Sequence, residues 1–241
     1  MSLLILPILI PLAAAVGAFL CGRRRLWQTY VSVGGSVLQL GACGTLLATV
    51  HRNGIQAEQM GGWPAPFGIT LVVDHLSAIM LAIAALIGLA ANIYALADID
   101  RRYRALGFHP LFQILIAGIC GAFLTGDIFN LFVFLEISSL ASYALISMGR
   151  DRRALSAAFQ YLVMGTIGAT FILIGIGFLY MMTGTLNMLD LAARLRDRLA
   201  HLGHREAGEF FLLVLVEVAQ RVKQRGALVQ RGGAPVAISA G

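Results

Sequence analysis

Residues 121–146 read GAFLTGDIFNLFVFLEISSLASYALI, two apolar stretches joined by Thr125-Gly126-Asp127. An Asp placed after Gly at the head of an apolar run is a helix N-cap at a tight turn, so one helix ends here and another begins. From Ile128 to Met148 the only charged side chain is Glu136. That run is long enough to cross about 30 Å of hydrocarbon at about 1.5 Å per residue. A carboxylate in its middle is the feature around which the rest of the chain is read.

Similar runs cover residues 2–21, 30–50, 71–96, 109–124, 128–148 and 154–182. Residues 1–190 therefore read as an all-α, polytopic helical membrane domain with about six transmembrane helices. Composition agrees: of 241 residues 59% are hydrophobic and 12% charged, where soluble domains carry about 25% charged residues. Mean hydropathy is +0.82. Both values argue against a soluble single domain. The first run is followed, not preceded, by basic residues (Arg23, Arg24, Arg25), the reverse of a cleaved leader, so it is expected to stay as a span.

Arginines mark alternate connections: Arg23–Arg25 after the first run, Arg101, Arg102 and Arg104 after the third, and Arg150, Arg152 and Arg153 after the fifth, against Arg52 alone after the second. The positive-inside rule puts those loops in the cytoplasm, the N-terminus outward and the Thr125-Gly126-Asp127 turn on the outer side. The net charge of +6 is concentrated in residues 191–241 and in these clusters, which argues against nucleic-acid binding. Cys21, Cys43 and Cys120 lie far apart in apolar runs, which gives neither a disulfide framework nor a metal-ligand spacing. No phosphate loop, dinucleotide fingerprint, H-E-x-x-H or G-x-S-x-G is present, so neither a cofactor nor a soluble active site is expected.

Among the ionisable residues, Asp74, His75, His109 and Asp127 fall at run ends and Glu136 alone is deep, about 13 Å beyond Asp127. A carboxyl there must be neutral or paired with a cation, and either state suits a proton relay; the bland alternative is a protonated residue that hydrogen-bonds two helices together. Ser139 and Tyr143 follow at i+3 and i+7 and extend a polar stripe whose hydroxyls could continue a relay. Ser138, Ser139 and Ser142 serve equally as small packing residues, and Gly165, Gly168, Ala169 and Gly175 read as packing. His109 at a helix start reads as structural rather than as a proton entry. Residues 191–209 read as an amphipathic interfacial helix, with Leu191, Leu195, Leu199 and Leu202 on one face and Arg194, Arg198 and His201 on another. Residues 210–241 start an apolar run that gives way to an unpatterned Gly/Gln/Arg-rich ending, expected to be a truncated or frameshifted tail, with a natural short subunit as the competing reading.

The stretches GGWPAPFGI at 61–69, the quoted 121–146 and TGTLNM at 183–188 resemble the D-type subunits of Mrp-type multisubunit cation/proton antiporters over roughly residues 1–192. That group is related to the antiporter-like membrane subunits of respiratory complex I and membrane-bound hydrogenases. The resemblance implies a fold of two inverted five-helix repeats, of which this chain carries about the N-terminal half. It also implies that Glu136 is the fifth-helix glutamate of the proton path. The lysine expected opposite it, in a seventh-helix segment resembling K-x-x-x-F-P-x-H-x-W-L-P, has no counterpart here, and Lys223 sits in no such motif. The implied function is a membrane subunit of a monovalent cation (Na⁺ or K⁺)/proton antiporter, without a catalytic site of its own. Its partners would be other membrane subunits, protons, the cation and the lipid of a bacterial inner membrane. The alternatives are a proton-pumping membrane-arm subunit of an NADH:quinone oxidoreductase or hydrogenase, and a non-conducting scaffold.

Overall fold

The computed structural model describes residues 3–22, 24–63, 68–98, 107–149 and 151–202. The 210–241 ending, Arg23, Arg101–Arg104, Arg150 and residues 64–67 of the GGWPAPFGI stretch lie outside the described residues. Within them the fold is a chain of helices: α1 Leu6–Leu20, α2 Arg25–Asn53, α3 His75–Asp98, α4 Phe108–Leu124, α5 Ile128–Ser147, α6 Arg152–Thr183 and α7 Met188–Leu202. Among the described residues four helices are long and apolar enough to cross a membrane, α2, α3, α5 and α6, while α1 and α4 are shorter apolar helices. These six correspond to the six runs, and the all-α, multi-pass membrane architecture stands.

Between α2 and α3 the strands β1, Gln56–Gln59, and β2, Thr70–Val73, form an antiparallel hairpin with Glu58 opposite Leu71. The expected third span, 71–96, therefore differs at its start: Thr70-Leu71-Val72-Val73 is rich in β-branched residues and pairs as a strand. The helix begins at His75 because Asp74 caps it, its Oδ1 accepting from the Ser77 N–H at 2.7 Å. Hydropathy does not separate a short apolar strand from the helix that follows it.

Helices α1 to α4 form one bundle, in which α1 packs on α2 and α4, and α3 on α2 and α4; α5 packs on α4 and α6 on α5. The core of that bundle includes Leu46, Val50, Leu81, Cys120 and Leu124, all fully buried. Pro11 lies inside α1 and has no N–H for the carbonyl of Pro7 one turn earlier. The Gln39 side chain of α2 supplies the missing donor, Nε2 to Pro7 O at 2.8 Å. A polar residue in the bundle thus repairs a helix defect on its neighbour.

The α4–α5 crossing is close because α4 presents glycine. A Cβ on Gly118 would stand 3.0 Å from both the Phe134 carbonyl and the Ser138 nitrogen, and one on Gly121 would lie 2.3 Å from the Phe134 ring. Small residues that let backbones approach are the ordinary basis of helix association in lipid. Ser138 belongs to this contact, its hydroxyl donating to Phe134 O at 2.7 Å. Helix α6 touches mainly α5, and only Ala158, Ile176 and Thr183 of it are buried.

Candidate functional site

The site is organised around α5. Its N-cap is Asp127, whose Oδ1 accepts from the Asn130 N–H at 2.8 Å, as the Thr-Gly-Asp turn predicts. Burial pushes the Asp127 carboxyl up, while the N–H groups of Asn130 and Phe129 hold it down. We expect Asp127→Ala to lower thermal stability by about 1 kcal/mol, read as a shift of the melting curve in detergent, since it leaves the Asn130 N–H without its cap.

This turn is tied to two segments far away in the chain. Gly126 N donates to Thr70 O at 2.8 Å, Ile128 N to Leu186 O at 2.9 Å and Met188 N to Gly126 O at 2.9 Å. The Asn187 side chain donates to Thr70 Oγ1 at 3.1 Å and, through its own Oδ1, caps α7 by accepting from Leu189 N at 3.1 Å. Space over Gly126 is tight: a Cβ there would sit 3.1 Å from Thr70 O and Val72 Cγ2, so these neighbours would have to give way. The hairpin, the α4–α5 turn and the Thr183–Asn187 turn thus close one end of the bundle. In the sequence only Thr125-Gly126-Asp127 reads as a turn, and its partners are not visible, because pairing between segments so distant leaves no periodic signal.

At the other end of that turn Gly184 leaves α6 in the left-handed region, φ 69°, where glycine is favoured. Arg194 of α7 donates to Thr183 O at 2.6 Å and pairs with Asp190 at 3.0 Å. The guanidinium meets the carbonyl end of α6, a favourable place for a cation. This contact accounts for an arginine placed just after α6. On α7, Leu191 and Leu195 are buried and Arg194 and Arg196 exposed, as an amphipathic helix requires; the side chains of Leu199, Arg198, His201 and Leu202 lie outside the described set.

Glu136 lies near the middle of α5 and is half-buried. Among the described residues it has no hydrogen bond and no ion pair; the ion pair among them is Arg194–Asp190. Ser139 is also half-buried. Tyr143, one further turn along, is buried against α6, with its ring edge-on to Tyr161 at 4.7 Å between centroids. Its hydroxyl occupies the space over Gly165, where a Cβ would collide with Oη. Gly165 is therefore a packing residue, whereas Gly168 and Gly175 face open space with nothing within 4 Å of a Cβ. His109 is fully buried, with Nε2 3.2 Å from Thr29 Oγ1, in keeping with a structural place. Among the described residues no three His, Cys, Asp or Glu side chains group as a metal site.

The described residues thus define a multi-pass helical membrane subunit with a carboxyl midway along one helix and its turns tied together at one end. Comparison with known proteins gives the family. The family described as NADH:quinone oxidoreductase/Mrp antiporter, TM matches residues 125–231. The chain is 36% identical over 196 residues to the D-type subunit of the Na(+)/H(+) antiporter of Bacillus subtilis (strain 168), covering 81% of this chain and 40% of that one. It is 45% identical over 195 residues to the N-type subunit of the NADH-quinone oxidoreductase of Desulforudis audaxviator (strain MP104C), covering 79% and 39%. Its fold matches a chain of the Mrp complex from Dietzia sp. DQ12-45-1b with a TM-score of 0.71 and 29% identity, over 81% of this chain and 40% of that one. The chain belongs to the NADH:quinone oxidoreductase/Mrp antiporter family of membrane subunits. It spans about 40% of the length of the curated relatives it matches.

Proposed function

We propose that the chain acts as a membrane subunit of a multisubunit monovalent cation/proton antiporter, exchanging Na⁺ or K⁺, with Glu136 as the group that takes up and releases the proton. The observation that carries this reading is the half-buried Glu136 midway along α5, with no hydrogen-bond or ion-pair partner among the described residues. A carboxyl can both take up and release a proton, which is the step that coupling a cation to a proton requires. Ser139 and Tyr143 share its helix stripe and supply hydroxyls that donate and accept. The cation and the paths on and off Glu136 come from other membrane subunits or from further helices, in an inner-membrane complex with the arginine-bearing loops in the cytoplasm and the N-terminus outward.

The 45% identity to an NADH-quinone oxidoreductase subunit favours a second reading, a proton-pumping membrane-arm subunit whose redox centres lie on other polypeptides. Everted vesicles separate the two. For an antiporter, adding Na⁺ or K⁺ to acidified vesicles collapses the pH gradient when the gene and its neighbours are present and not when this gene is deleted. For a redox-pump subunit, the deletion lowers NADH-driven acidification and no salt response appears in either strain. The second pattern would overturn the antiporter reading.

A further inference from the structure

The α1–α4 bundle carries a buried polar column that the Glu136 site does not use. Along α2, Thr29, Ser32, Ser36, Gln39 and Cys43 recur at alternating steps of three and four, the spacing that keeps one helix face pointed at its neighbours. Ser32 and Cys43 are 0%, Gln39 1% and Ser36 5% exposed. Facing them are Asn92 of α3 and His109, Gln113 and Cys120 of α4, none more than 1% exposed. Asn92 Nδ2 donates to Ser32 Oγ and Ser36 Oγ, both at 2.9 Å. Gln113 Nε2 reaches Ser32 O at 2.7 Å and the same two hydroxyls at 3.1 Å. Gln39 Nε2 lies 3.2 Å from Cys120 Sγ. From Thr29 to Cys43 the column is about 21 Å long.

The column's donors and acceptors do not balance. Two buried carbonyl oxygens of the column, Asn92 Oδ1 and Gln39 Oε1, have no hydrogen-bond partner. Exchanging O and N within an amide does not cure this, because the atom left at the orphaned position would then be an unpaired N–H. A buried amide oxygen without a donor is unfavourable by about 1–3 kcal/mol, and a helix bundle in lipid has no reason to carry two along one seam unless something donates to them. The acceptors are neutral and spaced along the column, which suits a small neutral donor that bonds to two or more groups at once. Toward the hairpin end the polar residues stop, and Leu46, Val50, Leu81 and Leu124 fill the interior completely.

We propose that α2, α3 and α4 enclose a file of ordered water, entered beside His109 at the end where α2 and α4 begin and closed at the hairpin end by Leu46, Val50, Leu81 and Leu124. It is a one-sided inlet: it brings water and the ions that travel in it to the depth of Cys120 and passes nothing through. It is distinct from the Glu136 stripe, which lies on α5.

The native cysteines report on it. Cys21 is half-buried at the C-terminal end of α1, next to the start of α2, and Cys43 and Cys120 are buried along the column. Silver ion, applied to sealed vesicles of each orientation in chloride-free buffer, protects any thiol it reaches from later alkylation in denaturant, and peptide mass spectrometry reads each cysteine separately. We expect Cys120 to be protected only in the orientation in which Cys21 is protected, and Asn92→Leu to slow protection of Cys120 about tenfold or more with Cys21 unchanged. Where Asn92→Leu does not insert, Ser36→Val serves as the blocking variant. Cys120 unprotected while Cys21 reacts would mean a dry polar seam and would overturn the inlet, as would protection from the opposite side or a Cys120 rate indifferent to the blocking variant.

Discussion

Glu136→Gln, introduced into the assembled complex, is expected to abolish cation-dependent proton exchange in everted vesicles while leaving the amount of assembled complex unchanged. Glutamine keeps the size and hydrogen-bonding reach of a protonated glutamic acid but cannot take up or release a proton. The side chain is half-buried and, among the described residues, holds no other group in place, so its loss removes no contact on which the helices depend. If its role were only to link helices, the amide would perform it and exchange would continue. Normal exchange by the Gln variant therefore excludes the relay, and a Glu136→Asp variant with partial exchange would show that carboxyl chemistry, not volume, is what α5 provides.

Gly118→Ala is expected to destabilise the chain by about 1–3 kcal/mol, the usual effect of overpacking a close contact, and Gly168→Ala to leave it unchanged or slightly firmer. Both residues lie inside long apolar helices and are alike in the sequence. At Gly118 the added carbon meets the Phe134 carbonyl and the Ser138 nitrogen, backbone atoms that yield only if α4 and α5 move apart. At Gly168 it meets nothing within 4 Å and adds helix propensity. Thermal unfolding in detergent, followed by circular dichroism or by loss of monodisperse protein, measures both. Equal effects at the two positions would mean that the α4–α5 crossing is not the contact that orders these helices.

Much of the architecture was legible in the chain because lipid imposes a simple rule: every buried backbone group must be paired within its own segment, so an apolar run of sufficient length is a helix. The six runs, the Asp127 cap and the place of Glu136 midway along its run follow from that rule and from helix rise, with no knowledge of neighbours. The hairpin at Thr70–Val73 was not legible, since Leu71-Val72-Val73, directly before a helix, look like its first turn. Both Ser138 and Ser139 could be read as small packing residues; in the fold it is Ser138 that sits over Gly118, while Ser139 keeps its place on the Glu136 stripe.

What the sequence determined by itself is therefore local and one-dimensional: which segments are helical, where Asp127 starts one of them, and which carboxyl falls midway along an apolar run. Tertiary structure alone decided which residues meet. Thr70, Gly126 and Asn187 close one end of the bundle, Gln39 completes the hydrogen bond that Pro11 leaves open, and Ser32, Ser36, Asn92 and Gln113 share one buried polar seam. Each of these contacts joins segments far apart in the chain, and a contact of that kind depends on how helix faces are turned toward one another, which hydropathy and periodicity do not encode.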